Sequence, residues 1–154
     1  MFERFARTAR TAVDGARHEA ERRGDRRIGT DHLLIALLQD VAVARVAGVD
    51  ALVARQTADQ LDLEALAAIG ITLAGWQPDR GAAPGRRVRF MTAGAKAVIG
   101  HALAVAAAEQ ARAITPRHLL LALLEQHEPD PAAALLAALS LDQTALRLRL
   151  AAAT

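Results

Sequence analysis

The feature that most constrains this chain is an internal repeat. Residues 28–38 (IGTDHLLIALL) return as residues 114–124 (ITPRHLLLALL), at an offset of 86 positions. At this offset, residues 5–38 and 91–124 share 11 identities in 34 positions. A composition rich in alanine and leucine would give roughly a third of that number by chance, so a duplication is the better explanation. Two copies of one unit must therefore share 154 residues.

Each copy opens with an amphipathic helix. In the first copy, apolar residues recur every three or four positions, which places them on one helix face. These residues are Phe2, Phe5, Ala9, Ala12, Val13, Ala16 and Ala20. The pattern predicts a helix that begins near the start of the chain, and Gly24 followed by Asp25 predicts its end.

The repeated histidine motif predicts the start of a second helix in each copy. In the first copy Thr30 is a favourable N-cap, and Asp31 would lie in the first turn. In the second copy Thr115 would be the N-cap and Pro116 would take the first helical position. Residues 33–38 are apolar on every side, so we expect this helix to be buried.

Shorter helices complete each copy. The expected ranges are 41–46, 50–60 and 61–68 in the first copy, and 131–139 and 142–152 in the second. Residues 66–71 resemble residues 136–141, which predicts 16 extra residues in the first copy, near 48–60.

A segment rich in glycine and proline, 75–89, separates the copies and predicts a linker. The predicted division is a first repeat at 1–74, the linker at 75–89 and a second repeat at 90–154. Neither copy is large enough to bury its apolar face alone. We therefore expect the two helical halves to pack as one domain with pseudo-twofold symmetry.

Composition excludes several classes of protein. The chain is 53% hydrophobic but only 3% aromatic, which suits closely packed helices. It contains no cysteine, so a disulfide framework and a thiolate zinc site are impossible. No apolar run reaches the ~18 residues of a membrane span. Acidic residues near the N-terminus argue against an organelle presequence, and we expect a soluble cytoplasmic protein.

The opening MFERF, the IGTDHLL motif at 28–34 and its second copy resemble the N-terminal domain of Clp AAA+ unfoldases, the ClpC type in particular. This resemblance covers essentially the whole chain and implies an all-α bundle of about eight helices, built from two four-helix Clp repeats. In that family the domain receives substrates, adaptor proteins and peptide-like ligands for ATPase rings that feed a protease. These 154 residues contain no G-x-x-x-x-G-K-[ST] phosphate loop, so we expect a stand-alone receptor domain without ATPase modules.

The resemblance also implies a ligand patch, because the family position of Phe2 lines such a patch beside the start of the second repeat. We hypothesise a small apolar patch with a basic rim, which is typical of protein-binding surfaces. The residues assigned to it are Phe2, Arg10, Val13, Phe90, Met91 and Lys96. The alternative for Phe2 is that it packs into the core.

A second site implied by the resemblance involves phosphoarginine. The family's phosphoarginine sites use an acidic residue just before the motif histidine. Asp31, next to Thr30, keeps an acid at this position in the first copy. Arg117 reverses the charge in the second copy and would repel a guanidinium. The sequence therefore predicts at most one phosphoarginine-like site, at Thr30 and Asp31.

Catalysis and metal binding find little support. His32 and His118 are candidate ligands, but no carboxylate or cysteine stands at ligand spacing in either copy, which favours a buried structural role. Ser140 is the only serine and the chain has no cysteine, so few side chains are candidate catalytic nucleophiles. We expect no enzymatic activity, no cofactor and no metal.

Two functions from different classes remain. The first is a non-enzymatic binding module of the Clp protease system, acting as an adaptor, a substrate receptor, or a decoy that sequesters substrates or peptide ligands. Its partners would be Clp substrates, adaptors or peptides, and Clp ATPase or protease components are a further option. The alternative is a nucleic-acid-associated regulator that uses the arginine run at 22–27 (RRGDRR). No aromatic residue interleaves with this run, which favours a solvated helix end.

Overall fold

The computed structural model describes residues 2–72 and 87–153, apart from the side chain of residue 2. In these ranges a single 3-10 turn, Phe2–Arg4, precedes eight α-helices. They are α1 Arg7–Arg23, α2 Thr30–Leu37, α3 Val41–Ala47, α4 Ala51–Ala68, α5 Ala93–Ala108, α6 Pro116–Leu124, α7 Pro131–Ala138 and α8 Gln143–Ala152. The predicted all-α bundle of about eight helices is confirmed.

The helices form two sets of four in the same order, α1–α4 and α5–α8. The third helix of each set begins after an aspartate N-cap, Asp40 or Asp130, and the fourth begins after Asp50 or Asp142. The two short helices predicted at 50–60 and 61–68 are one continuous helix, α4. The predicted 16-residue excess was also wrong, because residues 66–71 span the end of α4, a fourth helix, whereas residues 136–141 span the end of α7, a third helix, so the two segments are not equivalent.

Helix α1 starts at Arg7, later than the apolar pattern predicted. The backbone N–H of Ala6 donates to the carbonyl of Ile114 at 2.8 Å, which holds residues 5 and 6 in an extended conformation. At the other end, Gly24 terminates the helix with a φ of +76°, a conformation that favours glycine. The predicted end at Gly24 is confirmed.

The starts of the two central helices differ in detail. In the second copy Thr115 is the N-cap of α6 and Pro116 its first residue, as predicted. In the first copy the N-cap of α2 is Gly29, and Thr30 is already the first helical residue. A Cβ atom at position 29 would lie 2.6 Å from Oδ1 of Asp31, so the Asp31 carboxylate occupies the space a larger residue would need.

Two equivalent backbone pairings join the copies. Phe5 forms a parallel bridge with Ile114, and Ile28 forms a parallel bridge with Met91. Each bridge is flanked by two hydrogen bonds of 2.7–2.9 Å. The offset of 86 converts one bridge into the other, as expected of a contact that uses the same surfaces on both partners. At these bridges the copies therefore pack with pseudo-twofold symmetry.

The core is centred on α2 and α6, the helices that carry the histidine motif. The largest fully buried side chains are Leu33, Leu34, Ile35, Leu37, Leu38, Ile114, Leu119, Leu120, Leu123, Leu124, Leu135 and Leu136. The predicted burial of residues 33–38 is confirmed. Truncating one of these leucines to alanine typically costs about 2–5 kcal/mol, so this cluster dominates the stability of the domain. None of the described helices is both long and apolar enough to cross a bilayer.

The division into 1–74, 75–89 and 90–154 stays a prediction. Most of the predicted linker, residues 75–86, lies outside the described residues. The described chain resumes at residue 87 in an extended segment that leads into α5.

Candidate interaction surface

The motif histidine of the first copy holds the start of α2. The backbone N–H of Gly29 donates to Nδ1 of His32 at 2.8 Å. Because Nδ1 accepts this bond, the ring proton is on Nε2, which donates to Oδ2 of Asp25 at 2.9 Å. This hydrogen bond lowers the pKa of Asp25, and the charge of Arg23 lowers it further. His32 is buried, so the ring satisfies a helix-end N–H group that water does not reach.

The second copy repeats this arrangement. The N–H of Thr115 donates to Nδ1 of His118 at 2.9 Å, and Nε2 of His118 contacts Oε2 of Glu109 at 3.0 Å. Both ring nitrogens of each motif histidine therefore have protein partners. Among the described residues no group of three or more His, Cys, Asp or Glu side chains is arranged to hold a metal ion. This geometry supports a structural role for both histidines.

An ion pair lies next to each motif histidine, and its acidic and basic residues stand at opposite positions in the two copies. In the first copy Nη1 of Arg23 lies 2.5 Å from Oδ2 of Asp31. At the equivalent positions of the second copy the pair is Glu109 with Arg117, at 2.7 Å. The hydrogen bond from Arg117 lowers the pKa of Glu109. The charge reversal at residue 117 is thus compensated at residue 109.

Thr30 and Asp31, the predicted phosphoarginine-like site, are engaged inside the protein. Asp31 is buried and paired with Arg23, so an incoming guanidinium would have to displace that side chain. The Thr30 hydroxyl donates to Oδ1 of Asp130 at 2.8 Å, across the two copies. The geometry therefore offers no open acidic site here.

Three residues of the hypothesised patch lie within one short segment at the start of the second repeat. Phe90 is 70% exposed, and Met91 is partly buried against the core. Lys96 is exposed at the fourth position of α5, and its N–H donates to the carbonyl of Thr92 at 3.1 Å. That these three residues form one ligand patch stays a prediction.

Arg10 and Val13 lie on α1, in the first copy. Arg10 is exposed at the fourth helical position, the repeat equivalent of Lys96, and its Nη2 contacts the carbonyl of Glu3 at 3.4 Å. The assignment of Val13 to an exposed patch was wrong. It is only 9% exposed and belongs to the core, because it lies on the inward face of α1 with Ala9 and Ala16.

The side chain of Phe2 lies outside the described residues, so its assignment to the patch stays a prediction. The backbone at residue 2 starts the 3-10 turn that precedes α1.

Phe90 has one set of neighbours that the sequence did not predict. The N–H of Ile28 donates to the carbonyl of Phe90 at 2.8 Å, which brings the backbone of Arg26 and Arg27 close to that of residues 89–90. These residues belong to different copies and are far apart in sequence, so no local pattern indicates the contact.

Two four-helix units, reciprocal backbone bridges and histidine-capped central helices define an all-helical tandem-repeat domain. Residues 90–154 match the family model described as the Clp repeat (R) N-terminal domain. The fold resembles the N-terminal domain of the caseinolytic protease associated chaperone ClpD from Arabidopsis thaliana. The TM-score is 0.70 at 20% identity, over 99% of this chain and 98% of that one.

A second similar structure comes from a structural investigation of a malarial protein secretion system. Its TM-score is 0.68 at 16% identity, over 96% of this chain and 92% of that chain. A search of curated proteins gave no significant match.

Residues 90–154 therefore match the Clp repeat model and the fold is similar to that of the ClpD N-terminal domain, which confirms the resemblance inferred from the sequence.

Proposed function

We propose that this chain is a non-enzymatic protein- and peptide-binding module of the Clp protease system. It recognises Clp substrates, adaptors or peptide ligands and performs no chemistry on them. The observation that carries the proposal is the 70% exposure of Phe90 on a fold used for protein interactions. Large aromatic side chains are enriched among the residues that dominate protein interfaces.

The chemistry of the Phe90 segment supports this function. Burying an exposed phenylalanine against a partner is worth about 1.5–3 kcal/mol, a large share of a moderate affinity. Met91 adds a flexible, polarisable side chain that adapts to different ligands. Lys96 and Arg10 supply charge near the apolar residues, which favours partners with complementary carboxylates. Phe2 remains a candidate member of this surface.

The proposal is tested by affinity capture from cell lysate with quantitative mass spectrometry. We expect wild type to recover Clp substrates, adaptors or Clp ATPase components, and Phe90→Ala to recover at least fivefold less. Leu148→Ala is the matched control, since Leu148 is 68% exposed on α8 and should not affect recovery. Phe2→Ala, measured in parallel, tests the remaining patch assignment. Recovery of no Clp component or substrate, or equal recovery by wild type and Phe90→Ala, would refute the proposal.

A degradation assay separates the possible roles. Purified chain is added in increasing amounts to a reconstituted Clp unfoldase and protease with a fluorescent substrate. A decoy lowers the degradation rate as its concentration rises, because it binds substrate without delivering it. An adaptor raises the rate by delivering bound substrate to the unfoldase. No change in rate at saturating chain would contradict both roles.

A further inference from the structure

The second backbone bridge between the copies gathers four arginines and an aromatic ring. We propose that this arginine surface, formed by Arg26, Arg27, Arg87, Arg89 and Phe90, binds acidic peptide segments. This inference rests on the proposed function, which supplies the premise that the ligand is a peptide. It adds the place where the peptide binds and the negative charge that the peptide carries.

Backbone contacts bring the two parts of the arginine surface together. The N–H of Ile28 donates to the carbonyl of Phe90 at 2.8 Å, and Ile28 accepts from the N–H of Thr92 at 2.9 Å. Residues 26–27 therefore lie beside residues 89–90. Val88 is buried, and its N–H donates to Oε1 of Glu21 on α1 at 3.0 Å. With Val88 turned inward, residues 87 and 89 are exposed on either side of it.

Within the described ranges these four arginines form no ion pair with a carboxylate. Many other arginines make ion pairs with carboxylates: Arg17, Arg22, Arg23, Arg55, Arg117 and Arg147. In contrast, Arg26, Arg27, Arg87 and Arg89 are exposed and make no ion pair with any residue in the described ranges. Unpaired guanidinium groups retain their full capacity to bind an external anion.

The two carboxylates closest along the chain, Glu21 and Asp25, offset the charge of the four arginines only in part. Oε1 of Glu21 accepts the N–H of Val88. Asp25 accepts from His32 and lies 3.7 Å from Arg23. The local charge therefore has a positive excess, which attracts acidic partners.

The combination favours an acidic peptide over a nucleic acid. Guanidinium groups bind carboxylates through paired, charge-assisted hydrogen bonds. One exposed ring accommodates one apolar side chain of a peptide, whereas single-stranded nucleic acids are held by several rings on which successive bases stack. Phe90 is the one aromatic side chain among the strongly exposed hydrophobic residues of the described ranges. The expected ligand is an extended segment with several carboxylates and an apolar residue between them.

Fluorescence anisotropy with defined probes tests the inference. The probe is a fluorescein-labelled peptide of glutamates interrupted by two leucines, and its matched control replaces every glutamate with glutamine. Two double variants, Arg26→Gln with Arg27→Gln and Arg87→Gln with Arg89→Gln, each remove two charges from the surface. The control variant, Arg45→Gln with Arg112→Gln, removes two exposed charges elsewhere. A labelled thymidine oligonucleotide of twenty residues tests nucleic-acid binding.

We expect the glutamate probe to bind and the glutamine probe to bind at least tenfold more weakly. Each surface double variant should weaken binding roughly three- to tenfold, and the control variant less than twofold. Phe90→Ala should weaken it further when combined with either double variant. Equal losses in surface and control variants, no binding of the glutamate probe, or tighter binding of the oligonucleotide by the same arginines would each overturn the inference. Clp partners captured through Phe90 despite failure here would leave the proposed function intact.

Discussion

Glu19 is a buried carboxylate of α1 that pairs with Arg55 of α4. It is only 3% exposed, and it accepts hydrogen bonds from Arg55 at 2.5 Å, Gln39 at 2.8 Å and Arg22 at 3.2 Å. Burial acts to raise the pKa of Glu19, but the hydrogen bonds and charges of Arg55 and Arg22 outweigh it and lower the pKa. The carboxylate is therefore ionised and paired in the folded state.

In the second copy, a carboxylate at a different position pairs with the arginine of the fourth helix. Val105 stands at the repeat position of Glu19, and Glu125 stands at that of Gln39. Arg147, which follows its helix N-cap by the same number of residues as Arg55, lies 3.4 Å from Oε1 of Glu125. The arginine of the fourth helix thus finds its carboxylate on another segment.

This difference between the copies suggests one substitution that should destabilise the protein and a second that should restore part of the lost stability. Glu19→Val copies the second repeat at one position only and leaves Arg55 without its carboxylate. Breaking a buried ion pair costs about 3–5 kcal/mol. Arg55 is 29% exposed and can reach water, so we expect a smaller loss of about 2–3 kcal/mol. For a domain of this size that corresponds to a fall in Tm of about 4–12 °C.

Adding Gln39→Glu to Glu19→Val should recover about half of the lost stability, because Gln39 already contacts the cluster and a carboxylate there would face Arg55. The free energies of unfolding come from urea titrations followed by circular dichroism at 222 nm. Gln39→Glu alone is the control and should destabilise the protein, since it crowds two carboxylates. A loss below about 0.5 kcal/mol for Glu19→Val, or no recovery in the double variant, would refute this account of the cluster.

Three further predictions follow from described contacts. Because the folded-state pKa of Glu19 is lowered, wild type should be more stable than Glu19→Gln near neutral pH. This advantage should vanish as the pH falls below ~4.3 and through the folded-state pKa. Unfolding titrations at several pH values test this prediction, and a difference in stability that stays constant with pH would contradict it. Thr30→Val should lose about 1–2 kcal/mol of unfolding free energy through its hydrogen bond across the copies, while Thr57→Val, at an exposed bond within α4, should change it by less than ~0.5 kcal/mol. His32→Ala and His118→Ala should each destabilise the fold by about 2–4 kcal/mol, and unchanged stability in either variant would contradict the proposed capping role.

Helix boundaries show where local pattern succeeds and where it fails. The end of α1 at Gly24 and the start of α6 at Pro116 depend on local backbone chemistry, and both were predicted. The start of α1 was not, because pairing of Ala6 with Ile114 competes with the helix. Helix α4 runs unbroken from Ala51 to Ala68, and three ion pairs join it to α1: Glu19 with Arg55, Arg22 with Asp59 at 3.8 Å, and Arg23 with Asp62 at 2.6 Å. Such long-range contacts have no signature in the local apolar pattern.

The candidate surface shows the same limit. Phe90 and Lys96 were selected through the family resemblance, and the structure leaves both exposed. Val13 already belonged to the apolar face of α1, and that pattern correctly places it in the core. The position of Arg26 and Arg27 beside Phe90 required the tertiary structure, because the bridge joins residues of different copies.

The amino-acid sequence alone determined the duplication, the helical class and the two buried leucine helices, because these depend on periodicity and on turn chemistry within a few residues. Tertiary structure decided which charges meet. The pairs Arg23–Asp31 and Glu109–Arg117 exchange their signs between the copies, and the partner of the fourth-helix arginine moves from Glu19 to Glu125. An ion pair needs only two opposite charges at contact distance, so either position can hold either sign, and only the packed helices show which pairs form.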